Sequence, residues 1–168
     1  YVDIKTKSVT EVFQARYGQV NSYNWSPDGK WLTFSNPTEN NFNVISVYSL
    51  DSRKITDLTD NWYNSGSPSF SDDGKYIVFT SERDFNPIYS NTEWNHAYTN
   101  MSRIYLSVLS AKTTSPFAPA NDSVKIAAAP KDDKPADKPA PKEDKATPAA
   151  PKLKNVVIDT ENILNRIV

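Results

Sequence analysis

Trp25-Ser26-Pro27-Asp28-Gly29-Lys30-Trp31-Leu32-Thr33-Phe34 returns 45 residues later as Phe70-Ser71-Asp72-Asp73-Gly74-Lys75-Tyr76-Ile77-Val78-Phe79. Ser, Pro and a fourth-position Gly are what a type I turn favours, so each copy reads as strand, tight turn, strand. Beyond the turns, Leu32 and Phe34 share one face, as do Ile77 and Phe79, the two-residue alternation of a packed sheet. A second pattern recurs with the first. Residues 4–12 match 50–58, with Val9-Thr10-Glu11-Val12 lying on Ile55-Thr56-Asp57-Leu58, and a weaker copy covers 109–117.

In order, these pieces give an outer hairpin (about 2–13), a four-stranded unit (about 19–59) and a second unit (about 65–117). Four antiparallel strands at this period mark a β-propeller blade, and the joint recurrence of both patterns favours it over a meander or sandwich with a chance repeat. The fold expected is all-β: a partial β-propeller of about two four-stranded antiparallel blades plus an outer hairpin. A closed propeller takes at least about four blades, so the sequence reads as a piece of something longer.

The 168 residues carry 19 basic and 20 acidic side chains, for a formal net charge of −1. That balance offers no electrostatic footprint for nucleic acid and no cationic face for an anionic membrane. With no Cys in the chain, disulfides, thiolate nucleophiles and thiolate metal sites are excluded. All 20 aromatic residues precede residue 118.

Residues 127–152 contain 8 Ala, 6 Pro, 6 Lys, 5 acidic residues and one Thr, with no large apolar side chain. Such a stretch cannot bury enough surface to offset its ordering entropy, and its Lys-Pro-Ala and Ala-Pro-Lys units favour extended polyproline-like conformations. A disordered, semi-stiff linker over 118–154 is expected. An interaction tail competes with it, but the mixed charges present no single-sign surface. In the last segment, 155–168, Val156-Val157-Ile158 reads as a strand, while Thr160 could cap a helical turn through Leu164. Strand, turn, strand is the favoured reading, paired with a sheet supplied from outside these residues.

The second unit is longer than the first by about 14 residues, inserted within 82–102. Long propeller loops commonly bind, and this one is rich in aromatic and amide groups suited to recognition. Phe85, Tyr89, Trp94 and Tyr98 either fold the loop back on its own blade or face a partner. Asp84 and Glu93 are candidate ion partners for Arg83. His96 is the chain's single His, and no Gly-x-Ser-x-Gly elbow occurs, so no catalytic residue is assigned. A lone His without Cys gives no metal site, no cofactor is expected, and Asp72-Asp73 is better explained as turn acceptors than as a carboxylate pair or calcium site.

The two Ser-x-Asp-Gly-Lys turns resemble blade repeats shared by the TolB propeller, the propellers of prolyl-oligopeptidase relatives and tricorn-type proteases. The choice narrows on Ser81-Glu82-Arg83-Asp84-Phe85-Asn86-Pro87, Glu93-Trp94-Asn95-His96-Ala97-Tyr98, Arg103-Ile104-Tyr105-Leu106 and Thr114-Ser115-Pro116-Phe117-Ala118-Pro119. This order is similar to the end of the first propeller in bacterial tricorn-type serine proteases. Val157-Ile158-Asp159 and Ile163-Leu164-Asn165-Arg166-Ile167-Val168 resemble the start of that family's next propeller.

The resemblance implies domains at 1–117 (incomplete propeller), 118–154 (linker) and 155–168 (first element of a following propeller). It implies a non-catalytic segment that binds or guides peptides or unfolded polypeptide for a catalytic domain elsewhere in the parent chain. The candidates for that contact, all in the insertion, are Arg83, Phe85, Tyr89, Trp94, His96 and Tyr98. Partners implied are the remaining blades and protease domains of the parent, itself open to homo-oligomerisation, with no nucleic acid. A periplasmic location is implied by likeness to bacterial members with Lys-Ala-Pro spacers, a cytoplasmic one being the alternative. The rival function is a TolB-like protein-binding module of the cell envelope; an α/β-hydrolase domain would instead mark a prolyl-oligopeptidase relative.

Overall fold

A computed structural model describes residues 1–85, 100–119 and 155–168, with the backbone alone of 88–89 and 96–97. The first sheet holds β1 (Tyr23–Trp25), β2 (Trp31–Pro37), β3 (Asn43–Ser49) and β4 (Ile55–Asp57) in that spatial order, every pair antiparallel. In the second, β5 (Ser65–Phe70) pairs with β6 (Tyr76–Ser81), and β6 with β9 (Arg103–Val108). Between β6 and β9, a separate ribbon pairs β7 (Ile88–Tyr89) with β8 (His96–Ala97).

The repeated turns are nearly superimposable in their hydrogen bonding. Ser26 Oγ donates to Asp28 Oδ1 at 2.6 Å and accepts from the Trp31 amide at 2.9 Å; Ser71 Oγ does the same with Asp73 (2.7 Å) and Tyr76 (3.1 Å). The amides of Lys30 and Lys75 each donate to the matching Asp at 3.1 Å. Gly29 and Gly74 both sit at φ +69°, which a side chain would strain. Asp73 is thus the backbone acceptor expected of it.

Along β3 the alternation divides two environments. Ile45 and Val47, with Leu58, face the second sheet and join Phe70, Ile77 and Phe79 in one buried cluster. Phe34, opposite Ser46 in the ladder, faces the other way and meets Phe13 with ring centroids 5.2 Å apart. The outer hairpin is narrow: Val2 and Val9 form a single bridge, flanked by backbone bonds between Tyr1 and Thr10.

Three expectations need correction. The second unit has three strands in its sheet, because residues 109–117 form successive turns closed by Thr113–Ser110 and Ala118–Ser115 bonds, not a strand. The vacant edge of β9 is taken by the last segment: Leu106 and Val168 exchange backbone bonds of 2.8 and 2.9 Å, and Ile167 bridges Ser107. That segment therefore pairs with a sheet of this chain. Nor is it strand, turn, strand. Asn162, at φ +54°, breaks the extended path and precedes a 3-10 helix over Ile163–Arg166, so Thr160 is not its cap. Arg166 holds the bend by donating to the carbonyls of Glu161 (3.0 Å) and Asp159.

Candidate functional site

Strand direction places three connections on one rim: residues 38–42 between β2 and β3, 58–64 between β4 and β5, and the insertion between β6 and β9. Asn side chains join the first two, and a backbone bond joins the insertion to them. Asn40 Nδ2 donates to the Asn61 carbonyl (3.0 Å), Asn64 Oδ1 accepts from the Asn43 amide (3.0 Å), and the Glu82 amide donates to the Asn64 carbonyl (3.0 Å). A short Asn side chain can reach neighbouring backbone where a loop leaves its groups unpaired, which suits these positions.

Arg83 marks the insertion's base. Its Nε donates to Ser81 Oγ at 3.1 Å, and its guanidinium carbon lies 5.2 Å from the Tyr63 ring centroid, 5.6 Å from Tyr105 and 5.9 Å from Phe79. A planar, weakly hydrated cation suits such a three-ring setting, where the ring faces attract it. Its Nη2 is buried and has no hydrogen-bond partner among the described residues. The expected pairing of Arg83 with Asp84 is not formed. Asp84 instead meets Arg103 at 2.6 Å, while its amide donates to the Met101 carbonyl at 3.2 Å, because Ser81 and Arg103 are ladder partners and bring the two ends of the insertion together.

Phe85, two residues after Arg83, is 64% exposed. Tyr89 and His96 are opposed in the small ribbon, so the backbone brings them to one register position. Trp94 and Tyr98, like Glu93, lie outside the described residues. Sequence reasoning concentrated on the insertion and missed the aromatic groups of the shorter connections: Trp62 (79% exposed), Tyr63 and Phe42. The signal was Asn61-Trp62-Tyr63-Asn64, two large aromatics between turn-forming amides, where no core can hold both. Beside this rim, Phe13, Arg16, Tyr17, Pro37, Glu39 and Asn61 line an open cleft of about 320 Å³.

This arrangement can stack on apolar or aromatic side chains and donate hydrogen bonds to carbonyl oxygens. Among the described residues no group of three or more His, Asp or Glu is placed to hold a metal.

Over residues 1–168 the chain matches the family model described as the tricorn protease second beta propeller domain. It is 30% identical over 118 residues to tricorn protease homolog 1 of Streptomyces coelicolor, covering 70% of this chain and 11% of that protein. To putative tricorn protease homolog 2 of the same organism it is 33% identical over 113 residues, covering 65% and 10%. The chain thus spans about a tenth of the length of these relatives. A crystal structure of the tricorn protease superposes with a TM-score of 0.70 at 17% identity, over 99% of this chain and 14% of that one, which shows a shared fold. The motifs resemble the end of a first propeller, whereas the matching family model is described by the second. Because that family model matches residues 1–168, the chain belongs to the tricorn protease second β-propeller domain family.

Proposed function

We propose that this chain is a non-catalytic propeller segment that holds peptides or unfolded polypeptide for a catalytic part elsewhere in a longer parent protein. The observation supporting this is the rim: Trp62, Phe85, Phe42 and Tyr63 are all exposed on the connections gathered there, and Arg83, over the Tyr63 ring, has a buried Nη2 with no hydrogen-bond partner among the described residues. Aromatic and Arg side chains contribute most where partners bury surface, and an unstructured polypeptide offers both apolar side chains and carbonyl acceptors. The reading includes a periplasmic parent assembled with its own further blades and protease domains.

The test is fluorescence anisotropy of a labelled, unstructured peptide mixture titrated with residues 1–168, alongside a hydrolysis assay. Binding without turnover is expected, with affinity falling about tenfold, a difference of about 1.4 kcal/mol, in Trp62→Ala plus Phe85→Ala. Equal binding by that variant, or turnover that survives repurification and is lost in His96→Ala, overturns the reading.

A further inference from the structure

On the rim opposite the aromatic one, the two repeated turns and the end of β9 form a receptor for residues 155–168. The first turn contributes Asp28, whose Oδ2 accepts from the Val156 amide at 2.9 Å, and Lys30, whose Nζ reaches Asn155 Oδ1 at 3.3 Å. The second contributes Gly74: a methyl group there would come within 2.7 Å of Val156 Cγ2. Beyond β9, the Leu109 carbonyl accepts from the Asp159 amide at 2.9 Å, and Asp159 Oδ2 accepts from Ser110 Oγ (2.9 Å) and the Ala111 amide (2.8 Å). Arg166 then donates to the carbonyls of Val108 (3.0 Å) and Leu109 (3.2 Å).

Apolar anchors accompany these bonds. Val156 and Ile163 are buried within the cluster shared by the two sheets, with Ile158 and Ile167 packed against it. The segment thus touches both blades while being separated from residue 119 by 35 residues that carry no large aromatic side chain. Two-ended anchoring of this kind fixes position independently of the length of the intervening chain, since closing a longer loop costs only a slowly growing entropy.

We propose that residues 155–168 are a docking strap: an intramolecular ligand that staples the two blades and fixes the chain beyond the 118–154 stretch onto them. The connecting stretch then sets no part of that geometry. Recognition lies in the pattern Val156, Asp159, Ile163, Arg166, Ile167, and the receptor uses the very turns that repeat in the sequence.

The two glycines supply a matched test. Gly29 and Gly74 share φ +69°, but a Cβ on Gly29 meets nothing within 4 Å, whereas one on Gly74 collides with the strap. A specific protease site is placed between residues 131 and 150 of the 1–168 chain, the protein is cut, and the fragments are followed by gel filtration with circular dichroism of the body. The strap fragment is expected to co-elute with the body in the parent sequence and in Gly29→Ala, and to be retained about tenfold less in Gly74→Ala. Hydrogen exchange on the uncut chain supplies the second readout: the amides of Val156, Asp159 and Val168 should be protected in the parent sequence and lose protection in Gly74→Ala alone. Loss of the fragment from the parent sequence, equal retention by the two variants, or unprotected strap amides in the uncut chain overturns the proposal.

Discussion

Arg83 shows how one side chain can serve packing and recognition together. Its guanidinium carbon lies within 5.2–5.9 Å of three ring centroids, and only a flat, delocalised cation can address all three. Lys keeps the charge but not the plane. Arg83→Lys should therefore lower stability by about 1–2 kcal/mol, the range of partly desolvated cation–π contacts, seen as a lower urea midpoint with an unchanged slope. An unchanged midpoint would show that the ring contacts contribute nothing. Its place in the sequence, two residues after β6, gave reason to single it out; its partners did not follow from that, because Tyr63 and Tyr105 approach it only through the β5–β6–β9 ladder. The Asp84–Arg103 pair was hidden for the same reason: it depends on Ser81 and Arg103 being opposed across the sheet.

Among the elements, the hairpins built on the Ser-x-Asp-Gly turns were legible because each hydrogen bond in them is local and written in consecutive residues. The fourth position of the second blade was not. Residues 109–117 repeat the outer pattern weakly, yet Ser110 and Ser115 start turns, and the edge goes to a segment with better apolar anchors far along the chain. Its docking should be acid-sensitive. Burial tends to raise the Asp28 carboxyl, but the Ser26 hydroxyl and the Val156 and Lys30 amides, with the Lys30 charge, hold it below its usual value. Asp159 is lowered by the Ala111 amide and the Ser110 hydroxyl, aided by Arg166 and Lys112. Only the contacts made on docking count here, the Val156 amide for Asp28 and the Ala111, Ser110 and Lys112 groups for Asp159; they stabilise the docked form fully above the undocked value, about 3.9 for a free Asp, and that contribution is lost as pH falls through the docked value. In the cut protein, strap retention should hold from about pH 7 to 5 and fall below about pH 4. Asp28→Asn with Asp159→Asn should bind more weakly and without this acid limb; the same limb in the double variant would assign it to other groups.

At the scale of the molecule, two blades sharing one buried cluster form a segment of a larger ring, and the face around Tyr23 (69% exposed) and Trp25 (41%), which the outer hairpin covers only in part through the Tyr1–Trp25 and Phe13–Phe34 ring contacts, is what a sheet shows where a neighbouring blade would stack. The architecture was open to a sequence reading through its period, while the rim that carries the proposed function was only half visible. The insertion announced itself by length, but Trp62, Tyr63 and Phe42 joined it through folding: the Asn40–Asn61 and Asn43–Asn64 bonds gather two connections, and the Glu82–Asn64 backbone bond adds the insertion. The central claim is that this rim captures polypeptide for chemistry performed elsewhere. Its most direct measurement is the steady-state peptide hydrolysis of the full-length parent carrying Trp62→Ala with Phe85→Ala. The account predicts KM raised about tenfold with kcat and Tm unchanged, because the lost contacts are made equally in ground and transition states. An unchanged KM, or a fall in Tm with unaltered kinetics, would contradict it.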